Sequence, residues 1–154
     1  MNNTGDYKTM ELNFQRTIPA SPAEVYDAWL DTQNPGNPWY QSQRLDFKPK
    51  QGSLYHFMHI KDANKGEMPH YGRFVELSRP HRIQLAWMSL FTRGLESTVT
   101  VTFEAKGQDT LLTLKHSNLP DDAYGHGHKH WEVLLGQLAE RFPAKHRQAA
   151  GYRG

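Results

Sequence analysis

Histidine is the side chain of this sequence best suited to chemistry at neutral pH, because the chain has nine histidines and no cysteine. His56 and His116 fall on the predicted inward positions of two different strands. Histidine titrates near neutrality, so these two could orient a ligand's carbonyl or hydroxyl group, or act as acid and base. Both could instead be neutral core residues bonded to a neighbour or a water molecule. We favour the core interpretation and leave the ligand and catalytic roles open.

A second group of histidines lies near the start of the last predicted helix, in residues 125–130 (GHGHKH). Only residues three or four apart share a helix face, so His126 and His130 could bind one ion while His128 points elsewhere. Two histidines without a third ligand do not make a metal site. We therefore expect no metal, a solvated helix start, and a position for His130 near the rim of any pocket.

Other patterns of catalytic residues are missing from the sequence. It has no paired carboxylates of the glycosidase type, no glycine-rich phosphate loop and no nucleophile elbow. Asp121 and Asp122 precede the last helix, where negative charge is favourable, so they need no catalytic role. We predict no cofactor, name no catalytic residue, and leave open whether the protein is an enzyme.

The charge of the chain is nearly balanced, with 18 Lys and Arg against 16 Asp and Glu and a formal net charge of +2. The basic residues are scattered and form no stripe of the kind that binds nucleic acid. The longest apolar run, Leu85 to Met88, is far too short to span a bilayer. Residues 1–9 lack the apolar core of a signal peptide, and the absence of cysteine favours a reducing compartment. We expect a soluble cytoplasmic protein with no nucleic-acid or membrane partner.

The elements that must position the histidines follow from the spacing of apolar residues. Alternation with a period of two predicts strands over residues 10–18, 45–48, 54–60, 71–77, 83–87, 98–103 and 112–116. Ser21, Pro22 and Glu24 form a capping-box pattern, which predicts a helix after the first strand. That helix must end before the breaker at residues 34–38, and a short irregular or helical segment follows at Trp39.

A single apolar stripe predicts a long helix over about residues 123–142, since Trp131, Leu135 and Leu138 recur at steps of three and four before Pro143. Only this helix is long enough to cover one face of the sheet. The element order predicts an α+β fold, with a curved antiparallel sheet of six or seven strands around the C-terminal helix and one or two short helices after the first strand. We place the domain at residues 10–143, between a flexible N-terminus (1–9) and a flexible tail (144–154).

Several stretches occur in the order of one known family: residues 16–29 (RTIPASPAEVYDAW), Gly52, residues 72–80 (GRFVELSRP), 85–87, 98–103 and 110–116, and Trp131. Together they resemble the bacterial homologues of the activator of the heat-shock-protein-90 ATPase, within the START-like or SRPBCC superfamily. The resemblance implies the helix-grip fold, with a cavity between sheet and helix. It implies no single reaction, because the superfamily includes lipid and hormone carriers, polyketide cyclases and co-chaperone domains. Where the family usually has a small residue before the helix tryptophan, this chain has His130.

The predicted pocket is lined by the inward parity of the strands and by the apolar stripe of the last helix. Its residues are Trp39 at one end, then Leu54, His56, Met58, Phe74, Leu85, Trp87, Val101, Phe103, Leu114, His116, Trp131 and Leu135. The third strand is ambiguous, because its other parity carries Tyr55, Phe57 and His59. Either its phase is off by one residue, or its outer face meets a second subunit. All these side chains could also fill a core that has no cavity.

A mostly aliphatic and aromatic lining makes the binding of a small apolar or aromatic molecule the preferred hypothesis. A cyclase or hydrolase using the same cavity is the second hypothesis, and its acid or base would come from His56, His116, Arg16 or Glu76. A co-chaperone-like interaction module is the third and rests on the resemblance alone. A chaperone partner is doubtful, because the eukaryotic activators carry an additional domain for which this chain has no room. A homodimer is a further possible assembly.

Overall fold

The structure is a computed structural model that describes residues 8–60, 67–120 and 124–143. Its elements are β1 (Thr9–Ile18), α1 (Pro22–Trp29), β2 (Gln43–Asp46), β3 (Leu54–Ile60), β4 (Glu67–Ser78), β5 (Arg82–Ser89), β6 (Ser97–Lys106), β7 (Asp109–Pro120) and α2 (Tyr124–Glu140). A short 3-10 helix, Leu90–Thr92, follows β5. The flexible segments predicted at 1–9 and 144–154 lie outside the described residues, apart from residues 8 and 9, and β1 already begins at Thr9.

The strands form one antiparallel sheet in the order β1-β7-β6-β5-β4-β3-β2. The first strand forms one edge of the sheet and pairs with the last strand, β7. The predicted helix-grip fold is confirmed. One short helix, α1, follows the first strand, and the segment at Trp39 forms turns rather than a second helix.

Helix α1 begins as its sequence pattern predicts. The Ser21 side chain accepts a hydrogen bond from the Glu24 amide, and the Glu24 carboxylate accepts one from the Ser21 amide. Pro22 occupies the first turn, where its missing N–H costs nothing. The helix buries Val25 and Trp29 against the sheet.

Aromatic rings fill most of the space between α2 and the sheet. Trp131 and Leu135 are buried, as predicted. The Trp29 ring stacks on Trp131 at 6.5 Å between ring centroids and meets the edge of Trp39 at 5.8 Å. In the described residues these large rings belong to one buried core cluster under the middle of the helix.

The C-terminal end of α2 is closed by direct contacts. Arg141 donates to the carbonyl of Ala28 and to a carboxylate oxygen of Asp31, at 3.2 and 3.1 Å. Gly36 lies so close to the helix backbone that an added Cβ would sit 2.6 Å from the Cα of Leu138. Free space beside α2 is therefore found near its first turns, where the candidate site lies.

Strand β3 has the opposite phase to the one predicted. Leu54 is 74% exposed, and His56 and Met58 share its outer face of the sheet, whereas Tyr55 and Phe57 are buried. Successive residues of a strand point to opposite faces, so a shift of one residue moves the whole set. The prediction that Leu54, His56 and Met58 line a pocket is therefore wrong.

The register of the β3–β4 hairpin explains the true phase. Tyr55 lies opposite Gly72, and Phe57 lies opposite His70. Directly opposed residues share one face of an antiparallel pair. Gly72 and His70 have the same parity as the buried Phe74, so Tyr55 and Phe57 face the helix with it.

Candidate functional site

A small cavity, which we call the helix-end pocket, lies between the first turns of α2 and the strands β4, β5 and β7. It is partly open to solvent, and its volume of about 30 Å³ admits a water molecule or a small chemical group. The residues that line it are His70 on β4, Trp87 and Ser89 on β5, Phe91 and Thr92 in the 3-10 helix, His116 and Leu119 on β7, and Gly127, His130 and Trp131 on α2.

A chain of hydrogen bonds forms the inner wall of the pocket and fixes the protonation of His116. The Trp131 indole N–H can only donate, and it donates to His116 Nδ1 at 2.9 Å. His116 Nε2 therefore carries the proton of the neutral ring and donates to Ser97 Oγ at 2.8 Å. The Ser97 hydroxyl in turn donates to the carbonyl of Trp87 at 2.7 Å. Both ring nitrogens of His116 are used.

Burial reinforces the neutral form of His116. Removal of the ring from water lowers the pKa of His116 from 6.5 to about 3. A neutral imidazole whose only lone pair accepts from Trp131 has no site for a substrate proton. His116 therefore joins α2 to the sheet as a structural residue, which is the interpretation favoured from the sequence.

Two more histidines face the pocket from opposite sides. His70 Nδ1 donates to the carbonyl of Met68 at 2.9 Å, and its ring lies flat on Phe57 at 4.7 Å between centroids. The carbonyl can only accept, so Nδ1 is protonated and Nε2 of the neutral ring is an acceptor. The His130 ring packs 4.7 Å from Trp131 and 6.3 Å from Trp87.

The Trp87 ring is central to the pocket. Only 3% of this residue is exposed, and its ring contacts those of His70, His130 and Trp131 at 5.4 to 6.3 Å. Among the hydrogen bonds of the described residues, none involves Trp87 Nε1. An indole N–H is a donor only. The pocket wall therefore holds a donor that the described part of the protein does not use.

Ser89, beside Trp87, supplies a second donor, its hydroxyl group. Its Oγ accepts from the Phe91 amide at 3.2 Å and so caps the 3-10 helix. The Thr92 hydroxyl proton is used in a bond to the Ser89 carbonyl, whereas no bond within the described residues uses the Ser89 hydroxyl proton. Trp87 and Ser89 are two apart in β5 and share its inward face.

The sequence pattern of a known family, described as activator of Hsp90 ATPase homologue 1-like protein, matches residues 19–142. This match covers most of the chain. The chain belongs to this family. No curated protein matches it.

Solved structures of other proteins share the fold of this chain at low sequence identity to it. Protein CV1439 from Chromobacterium violaceum is 21% identical, with a TM-score of 0.73 over 86% of this chain and 97% of that one. The Aha1 dimer from Colwellia psychrerythraea is 15% identical, with a TM-score of 0.67 over 88% and 98%. CalU16 from Micromonospora echinospora is 17% identical, with a TM-score of 0.66 over 88% and 76%. At these identities the comparison establishes the fold alone.

Few of the site residues predicted for this chain line the pocket. Trp87, His116 and Trp131 line it. The other predicted residues on the inner face are packed in the core: Trp39, Phe74, Leu85, Val101, Phe103, Leu114 and Leu135. Trp39 does not cap an opening, because its ring is 1% exposed and its N–H donates to the carbonyl of Trp29.

The acid and base candidates of the enzyme hypothesis do not gather. His56 is on the outer face, where it stacks on Tyr71. Glu76 pairs with Arg82 at 3.0 Å, and Arg16 donates to the carbonyl of Gln15. His130 lines the pocket, while the side chain of His126 lies outside the described residues. In the part of the chain that the structure describes, no three metal-binding side chains cluster, and no helix is long and apolar enough to cross a membrane.

His70 and Ser89 are pocket residues that the sequence-based prediction missed. A signal for each was present, because His70 shares the parity of Phe74 in β4 and Ser89 shares that of Leu85 and Trp87 in β5. Both residues lie outside the predicted bounds of their strands. The prediction began the first of these strands too late, at Tyr71, and ended the second too early, at Trp87, whereas β4 begins at Glu67 and β5 extends to Ser89.

Proposed function

We propose that this protein binds a small, largely apolar molecule and holds one polar group of it in the helix-end pocket. The observation that carries the proposal is the meeting of two indole rings, three imidazoles and two hydroxyl groups around a partly open space between sheet and helix. Such sites, mostly apolar with a few convergent polar groups, are typical of ligand pockets. The family membership favours the same function, since this fold hosts ligand-binding proteins.

The size of the pocket limits how the ligand is held. About 30 Å³ accommodates one small group and not a whole aromatic ring. The rest of the ligand must then lie along the open side, near the half-buried Phe91 and the exposed Leu90, or displace the first turns of α2. An enclosed apolar molecule, as expected from strand parity, is a weaker proposal because the core already fills that volume.

The enzyme alternative receives less support. Asp and Glu are absent from the described lining of the pocket, and His116 is committed to Trp131 and Ser97. Among the described lining residues, this leaves His70 and His130 as the groups that could move a proton. A chaperone-binding role continues to rest on the family description, and a cytoplasmic location on the absence of cysteine.

Native mass spectrometry of freshly purified protein, searching for a retained small molecule, is the direct test of binding. Fluorescence titration with fatty acids, flavonoids and small polyketides then measures affinity. We expect His130→Ala, which enlarges the pocket beside Trp131, to strengthen the binding of bulkier ligands about tenfold, as one or two additional buried methylene groups would do.

The matched control is Lys129→Ala, an exposed neighbour on the same helix, which should leave every affinity unchanged. Absence of a retained molecule, together with no titration response in either the native protein or His130→Ala, would contradict the proposed function.

We also propose that two copies associate through an outer apolar patch on the face of the sheet opposite α2. The patch consists of Leu54, His56 and Met58 on β3, Pro69 and Tyr71 on β4, and Met88 on β5. Leu54 and Tyr71 are 74% and 43% exposed. Beside them the half-exposed ion pair of Arg73 and Glu96 gives the patch a rim with both charges, as a self-complementary interface requires. The dimer of the Colwellia relative is consistent with such an assembly.

A further inference from the structure

The chemistry of the pocket wall defines which polar group it can hold, given the proposed binding function. Trp87 Nε1–H and the Ser89 hydroxyl are the two donors that no hydrogen bond within the described residues uses. They lie two residues apart on one face of β5, which places their Cα atoms about 7 Å apart. Because both residues line the pocket, an acceptor oxygen is the ligand atom that matches these donors.

The described lining favours an uncharged acceptor. Lys, Arg, Asp and Glu are all absent from the described lining, and the wall behind the pocket is made of the two indoles and the neutral His116. A carboxylate or phosphate in these surroundings would lose its hydration with no cationic side chain of the described lining to replace it, which is costly. A carbonyl oxygen of a ketone, ester or amide meets both conditions.

We infer that the helix-end pocket recognises the carbonyl oxygen of an uncharged ligand through the indole N–H of Trp87. This inference rests on the proposed function and names the ligand class for the same site. The carbonyl enters first, because the volume of about 30 Å³ holds that group alone. Its apolar substituents lie toward the open side, against Phe91. Ser89 lies beside Trp87 and donates to the same oxygen or to a neighbouring one.

The test compares two probes of nearly equal shape. Acetophenone carries a carbonyl oxygen, and α-methylstyrene carries a CH₂ group in its place. Uniformly ¹⁵N-labelled full-length protein is titrated with each probe while the indole N–H resonances of its four tryptophans are followed. The variants Trp87→Phe and Trp29→Phe assign the signals. Trp29→Phe is also the matched control, because it makes the same chemical change at a buried tryptophan that does not line the pocket.

We expect acetophenone to shift the Trp87 N–H resonance downfield and α-methylstyrene to leave it nearly unchanged. Trp87→Phe should weaken acetophenone binding about five- to tenfold, the effect of one lost neutral hydrogen bond. The same variant should change α-methylstyrene affinity much less, and Trp29→Phe should change neither.

Two outcomes would overturn the inference in distinguishable ways. If both probes bind at the pocket with equal affinity and Trp87→Phe affects them equally, the pocket is an apolar site and the carbonyl inference fails while the proposed function stands. If neither probe perturbs any pocket resonance and native mass spectrometry finds no retained molecule, both fail.

Discussion

His116 shows how partners from other elements decide the role of a single side chain. Its ring accepts from Trp131 on α2 and donates to Ser97 on β6, so three elements meet at one imidazole. Strand parity predicts that the residue points inward. The two partners cannot be predicted from that parity, because they depend on how α2 lies across the sheet.

The depressed pKa of His116 predicts that the protein loses stability in mild acid. In the unfolded chain the group takes up a proton below about pH 6.5, whereas in the folded protein it stays neutral down to about pH 3. The stability that depends on the neutral ring is therefore complete above pH 6.5 and is lost as the pH falls from 6.5 toward 3. At pH 5 the loss is about 2 kcal/mol.

Urea denaturation at pH 7 and pH 5 measures this loss. In His116→Gln, which keeps a polar side chain and removes the titrating group, the difference in unfolding free energy between the two pH values should shrink by about 2 kcal/mol. The control His81→Gln replaces an exposed histidine and should retain the wild-type difference. If the difference in unfolding free energy between pH 7 and pH 5 is unchanged in His116→Gln, the His116 ring is not the source of the loss of stability in acid.

At the scale of elements, β3 marks the limit of sequence patterns. Parity predicts a strand's inward face only when its two faces differ, as in β6, where Val99, Val101 and Phe103 alternate with threonines. β3 carries aromatic or apolar residues at both parities, so its pattern gives no contrast. The phase follows from the register of β3 against β4, in which Tyr55 lies opposite Gly72, and the residue pattern of β3 alone does not specify that register.

The β4–β5 pairing depends on the absence of a side chain at Gly72. An added Cβ would lie 1.8 Å from the carbonyl oxygen of Ala86, the atom that also accepts the Tyr55 hydroxyl bond at 2.7 Å. Gly72→Ala must push two paired strands apart, and we expect it to destabilise the protein by about 3 kcal/mol or more.

Gly136 in α2 provides the opposite case. Apart from its neighbours and the backbone of its own helix, no atom lies within 4 Å of an added Cβ there. Alanine also has a higher helix propensity than glycine, so Gly136→Ala should stabilise the protein by about 0.5 to 1 kcal/mol. Thermal denaturation of the two variants compares the same chemical change at a crowded and an open position. Equal effects would mean that the close approach at Gly72 does not govern the pairing.

At the scale of the whole molecule, the order of elements predicted the fold, while the cavity depended on side-chain volumes. A helix long enough to cover the sheet and strands in the right order are visible in the sequence. Whether Trp29, Trp39 and Phe74 leave a gap or close it depends on how their rings fit together, because interiors pack at nearly crystalline density. Among the described residues, the helix-end pocket lies at the first turns of α2, away from these three rings.

The outer apolar patch leads to a prediction about assembly. If two copies pair through it, each buries an exposed Leu54, and Leu54→Ser removes that contact twice in the symmetric dimer. At about 1.5 kcal/mol for each leucine, the dimer should weaken by about 3 kcal/mol, or roughly a hundredfold in dissociation constant. Sedimentation equilibrium measures this change, and Leu90→Ser, which alters a 70% exposed leucine in the 3-10 helix, should leave the dimer intact.

The rim of the patch allows a sharper version of the same experiment. A two-fold axis can place Arg73 of one copy near Glu96 of the other, so Arg73→Glu alone should weaken association by like-charge repulsion. The exchange Arg73→Glu with Glu96→Arg restores opposite charges and should recover most of the affinity. High salt should reduce both effects, since the charges are half exposed to solvent. A wild-type protein that stays monomeric at every concentration, or a dimer indifferent to both Leu54→Ser and Arg73→Glu, would mean that the patch meets no second copy.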